Sequence, residues 1–132
     1  MSNNSKNNLP VLGSKKNFLN KENMGFVYLI GEIDDDTKYK IGVTKKKNID
    51  ERKKELQTGN SDELYIKNVF ETKYPYKLEK MLHRYFHNKN ILNEWFSLDK
   101  EDVNSFNDIC LKYENILLSL RDNPFFNTNK KE

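Results

Sequence analysis

The chain has 132 residues, 33% of them charged and 36% hydrophobic, with a formal net charge of +3. This bounds it to one domain with a small core. It has no apolar run long enough for a membrane span and no apolar signal core near its start. The lone cysteine, Cys110, excludes an internal disulfide and a cysteine-based zinc site, so a reducing, intracellular setting is expected.

Residues 1–23 are rich in Asn, Ser and Lys, with no hydrophobic period, and read as a disordered arm carrying Lys6, Lys15 and Lys16. The ordered domain is expected over 24–121. Phe26 to Ile30 is aromatic and β-branched, and Lys38 to Val43 is a second strand candidate. The polar, acidic stretch between them makes the pair a hairpin. On it Tyr28 and Lys40 are expected to face each other, with Arg52 presented from the following helix. That helix starts at Asn48, with Glu51 three residues on as a capping box. Gly59 is placed to end it in a left-handed conformation. Leu64 to Phe70 reads as a third strand, with Leu64, Ile66 and Phe70 pointing one way.

Pro75 opens a second helix running to about Asn88, with an apolar stripe of Leu78, Met81, Leu82, Tyr85 and Phe86. Glu79 and His83, four apart, share a face, and His87 continues the line. Glu94-Trp95-Phe96 is a short extended element whose aromatics plug the core edge. Asp99 and Asp102 cap a last helix with a seam of Val103, Phe106, Cys110, Tyr113, Leu117 and Leu120. The seam suits packing across the sheet or a homodimer contact. Residues 122–132 read as a frayed tail. The order ββαβα plus a C-terminal helix predicts an α+β domain, with a three-stranded, mainly antiparallel sheet flanked by helices.

Phe26-Val27-Tyr28 followed by Lys40-Ile41-Gly42 resembles the paired motif of the GIY-YIG nuclease superfamily. Arg52 in RKKELQTGN, Glu79 in LEKMLHRYF and the NEWFSL run from Asn93 follow in the same order. The likeness covers Gly25 to Leu98 and is nearest the compact branch of phages and large DNA viruses. It implies a metal-dependent endonuclease that hydrolyses DNA phosphodiester bonds. By the same resemblance Glu79 is the ligand of Mg2+ or Mn2+. An ion that keeps most of its water shell needs only one or two protein carboxylates. Arg52 is implied as the phosphate contact, a role its charged planar fork suits. Tyr28 is implied to act on the attacking water, as base or orienter, and Lys40 stands at the second motif's tyrosine, beside it. Tyr39 should point to the opposite strand face and is read as structural.

His83 matches a histidine frequent after the Glu of this branch. It suits phosphate binding, proton transfer or a hydrogen bond within the fold. Glu79, His83 and His87 together also resemble a metal face. Lys45, Lys46, Lys47 and Lys53 read either as a basic rim for DNA or as a solvated helix face. Two departures from the pattern stand out. The first motif's glycine is displaced to Gly25, and Leu56 stands one turn after Arg52, where relatives place a proton-transfer partner. A non-catalytic nucleic-acid-binding module on the same fold is the rival reading, and it predicts salt-dependent affinity without cleavage.

Overall fold

The computed structural model describes residues 24–45 and 47–121. The arm expected over 1–23, Lys46 and the tail over 122–132 lie outside the described residues. Strands β1 (Gly25–Glu32) and β2 (Asp35–Thr44) form the predicted hairpin, followed by helix α1 (Ile49–Thr58) and strand β3 (Leu64–Thr72). Helix α2 (Pro75–Tyr85), a 3-10 turn (His87–Lys89), strands β4 (Asn90–Leu92) and β5 (Trp95–Ser97), and helix α3 (Lys100–Leu120) complete the chain.

The fold is α+β, as the element order predicts. Its antiparallel sheet has five strands rather than three, in the order β3-β1-β2-β5-β4. The extra pair is made of three-residue strands, held by pairing, β5 to β2 and β4 to β5, rather than by a pattern of their own. No described helix is long and apolar enough to cross a membrane.

β1 is apolar on both faces because both are covered. Val27 and Leu29 join Ile41, Leu78, Leu82, Phe96 and Phe106 in the larger core, under α2 and α3. Tyr28 and Ile30 point the other way and join Leu64, against Ile49 and Leu56 of α1. Tyr39 lies in the larger core, opposite Lys40, as the strand period requires. Phe70 departs from its expected face. The β1–β3 register shifts after Leu29, which pairs with Asn68 while Ile30 pairs with Ile66. The bulged residue reverses the alternation, so Leu64 and Ile66 face α1 and Phe70 packs on the larger core.

The helix ends follow local chemistry. Asn48 caps α1, but its side chain accepts from the Asp50 backbone N–H, so the capping box with Glu51 does not form. Gly59 ends α1 with φ −97°, not left-handed. Pro75 starts α2 as expected, but α2 stops at Tyr85, and the 3-10 turn carries the chain over 87–89. Asp99 and Asp102 make the predicted capping box of α3. Val103, Phe106, Cys110 and Leu117 of its seam are buried in the domain's own core, which takes up the surface read as a dimer contact. Leu120 and Tyr85, expected to be inside, are exposed.

Candidate functional site

Three elements bring Tyr28, Arg52 and Glu79 together around the outer edge of β2. Tyr28 is fully buried and stands opposite Gly42 in the hairpin register. Lys40 shares that face but pairs with Ile30, so it lies diagonal to Tyr28 rather than facing it. Gly42 is what allows the phenol to lie flat across β2. A Cβ there would stand 2.3 Å from the Tyr28 hydroxyl and 2.5 Å from its Cζ.

Ile49, Arg52 and Leu56 form the face of α1 that packs on this ring. Arg52 therefore sits among apolar neighbours. Its Nη1 donates to Glu55 Oε1 at 3.1 Å, while its Nε is buried and unpaired. Tyr28 holds the Arg52 guanidinium charge more firmly than usual. Burial pushes the Tyr28 phenol above its ordinary range, and the opposing pull of Arg52 is outweighed. The two groups stand side by side without meeting hydrogen-bond geometry, so the Tyr28 hydroxyl is also unpaired. A phenol held protonated in this way orients a water more readily than it removes a proton from one.

Glu79 comes from α2. Leu78 and Leu82 of that helix face the core. Glu79 and His83 face β2 beyond Lys40, where the pairing with β5 has ended. His83 Nε2 donates to the Ile41 carbonyl at 2.9 Å, which puts the proton on Nε2. It stands 3.9 Å from Glu79 Oε2, and the His83 ring packs edge-on against Phe96. Glu79 Oε2 is buried without a hydrogen-bond partner. Burial first, then the nearby charge of Glu94, raises the Glu79 carboxyl above the usual carboxylate range, against His83 and Lys40.

Glu94 is the site residue that sequence reasoning did not single out. Its carboxylate pairs with Lys40 Nζ at 2.8 Å. The available signal was the NEWF run itself, read above only as a motif and a core plug. Lys45 and Lys47 are exposed in the β2–α1 loop and Lys53 is half-buried. Lys45 Nζ lies 5.8 Å over the Tyr76 ring. His87 is exposed in the turn after α2, off the line of Glu79 and His83. No group of three His, Cys, Asp or Glu side chains able to hold a metal occurs among the described residues. The trio of Glu79, His83 and His87 therefore does not form a zinc site. What remains is one buried carboxylate oxygen without a hydrogen-bond partner, near a second carboxylate. That donor set suits a hard, water-carrying divalent ion.

Neither the curated proteins nor the solved structures give a match to this chain. The T5orf172 domain model matches residues 25–110, well over half of the chain and nearly all of the described fold. The family is phage-derived and associated with nucleases and DNA binding. The chain belongs to the T5orf172 domain family.

Proposed function

We propose that this chain is a GIY-YIG-type endonuclease that hydrolyses DNA phosphodiester bonds with one divalent ion, Mg2+ or Mn2+, on Glu79. One observation carries the reading. Among the described residues, the buried side-chain polar atoms without a hydrogen-bond partner are the Tyr28 hydroxyl, Arg52 Nε and Glu79 Oε2. They come from three different elements, and the GIY-YIG resemblance assigns a role to each of them. Buried polar groups are normally paired, and an orphan costs about 1–3 kcal/mol. Three around one sheet edge are what a site prepared for a charged substrate looks like.

Glu79 Oε2 would hold the ion, which when bound would stabilise charge on the phosphate and on the leaving oxygen. The chain's own residues supply the rest. Arg52 offers its free guanidinium edge to a non-bridging phosphate oxygen. The Tyr28 hydroxyl orients the attacking water by hydrogen bonding, held in place by Gly42 and α1. Lys40 adds positive charge beside the same phosphate. His83 Nε2 is committed to the Ile41 carbonyl, so His83 holds α2 against β2. Lys45, Lys47 and Lys53, with Lys46 between them in sequence, supply DNA backbone contacts around the entrance. The fold class and the absence of a described metal triad are compatible with a binding module as well, so cleavage is the deciding observation.

The test is cleavage of duplex DNA in Mg2+ or Mn2+ by the unaltered chain and by Arg52→Ala and Tyr28→Phe variants. Each variant is expected to cleave at least roughly a hundredfold more slowly, as for loss of a preorganised polar group at a reacting centre. DNA retention without cleavage by the unaltered chain would replace the nuclease with the binding module.

A further inference from the structure

We propose that Glu94 is a positioning residue of this site, acting through Lys40. The proposal rests on the nuclease reading for its consequence, but not for its geometry. A lysine side chain is a flexible four-carbon stem with a compact charge, and left alone it samples many positions. Lys40 is fixed from two sides. Its Nζ is 2.8 Å from Glu94 Oε1 and 5.8 Å over the Trp95 ring, and its side chain is only 15% exposed.

The turn between β4 and β5 is built to put Glu94 there. Asn93 has φ 52°, in the left-handed region that Asn tolerates better than most residues. Asn90 Nδ2 ties the turn by donating to the Asn93 carbonyl at 2.8 Å and the Trp95 carbonyl at 3.1 Å. The Ile41 backbone N–H then donates to the Glu94 carbonyl at 3.0 Å. Ile41 thus receives Glu94 on its N–H and His83 on its carbonyl. One residue of β2 fixes the position of both segments that carry the site's carboxylates, next to Lys40 in the chain.

Lys40 and Glu94 place opposite charges 2.8 Å apart at the site. Without Lys40, two carboxylates would stand together uncompensated. Without Glu94, the ammonium would leave its place above Trp95. The pair therefore works as a unit, and the role of Glu94 is exercised through the position of Lys40 rather than by contact with DNA.

The experiment is a double-mutant cycle of Lys40→Met, Glu94→Gln and the combination, read in two ways. In single-turnover DNA cleavage, Glu94→Gln should lower the rate about tenfold, within the coupling range of contacting charged pairs, with DNA affinity unchanged. In the Lys40→Met background the same substitution should change the rate by less than about twofold. Glu94→Asp should recover part of the loss. Additive losses, or a Glu94→Gln loss that persists without Lys40, would overturn the proposal, because Glu94 would then act on its own or through the fold.

The second reading needs no activity. Brief acetylation of the native chain, followed by peptide mass analysis, should label Lys40 severalfold faster in Glu94→Gln than in the unaltered chain, with Lys45 and Lys54 labelled equally in both. Equal labelling of Lys40 would overturn the proposal. A chain that does not cut DNA but shows this change in Lys40 would retire the nuclease reading and leave the positioning role standing.

Discussion

Gly42→Ala is the sharpest perturbation of the site that adds no charge and removes no functional group. The new Cβ would lie 2.3 Å from the Tyr28 hydroxyl, 2.5 Å from Cζ and 2.7 Å from Cε1. All three are below the separation that real contacts allow, and Tyr28 is fully buried, so the ring cannot swing into solvent without opening the sheet face against α1. Overpacking of this kind costs about 1–3 kcal/mol. At the middle of that range, a domain of this size should melt roughly 8–16 °C lower. Far-UV circular dichroism melts provide the assay. Tyr28→Phe should rescue little, because the contacts to Cζ and Cε1 remain. Tyr28→Leu removes the ring, so in that background Gly42→Ala should cost less than about 1 kcal/mol. An unchanged melting temperature in Gly42→Ala, or an equal cost in the Tyr28→Leu background, would refute the claim that the phenol lies across Gly42.

Other expectations follow from single groups. Glu79→Gln should stabilise the chain at neutral pH by about 1 kcal/mol while abolishing cleavage, because it removes a buried, partly unpaired charge. The sign is fixed by the raised Glu79 carboxyl. Folding disfavours its ionised form, so the penalty is full above the folded-state pKa and vanishes below the ordinary carboxylate range. The advantage of the Gln variant should therefore fade in acid, and urea titrations at two pH values would show whether it does. Asn93→Val should cost about 1–2 kcal/mol through its left-handed backbone, and Asn93→Gly much less, as read from melting curves. A Val variant as stable as the Gly one would argue against that backbone. Cys110 is fully buried, and burial pushes its thiol up to about 12. It should resist disulfide-exchange reagents at pH 8 until the chain unfolds, and rapid native labelling would contradict the core assignment.

The parts legible in the sequence are those written in local pattern. The β1–β2 hairpin, the Asn48 and Asp99 caps, the Pro75 start of α2 and the two faces of Tyr28 and Tyr39 all follow from residue type and period. The convergence of Tyr28, Arg52 and Glu79 was legible through the GIY-YIG resemblance. What stayed hidden depends on distant partners. The bulge at Leu29–Ile30 is a feature of the β1–β3 pairing, and no alternation within β3 reveals that it turns Phe70 over. Strands β4 and β5 are three residues each and exist because β2 offers an edge. Glu94 reads as an ordinary acidic residue until that pairing sets it on Lys40, fifty-four positions earlier. Gly59 carries the usual signal of a left-handed helix end, yet Gln57 supplies a different exit. Its side-chain amide bonds the Asn60 and Asp62 carbonyls and accepts from the Leu64 backbone N–H.

Supercoiled plasmid incubated with the unaltered chain in Mg2+ or Mn2+, beside EDTA and Glu79→Ala controls, tests the central claim most directly. The account predicts metal-dependent conversion to nicked or linear DNA that is lost in EDTA and in the Glu79→Ala variant, while that variant remains folded. Cleavage that survives intact in Glu79→Ala, or no cleavage in either metal by a folded chain, would contradict it.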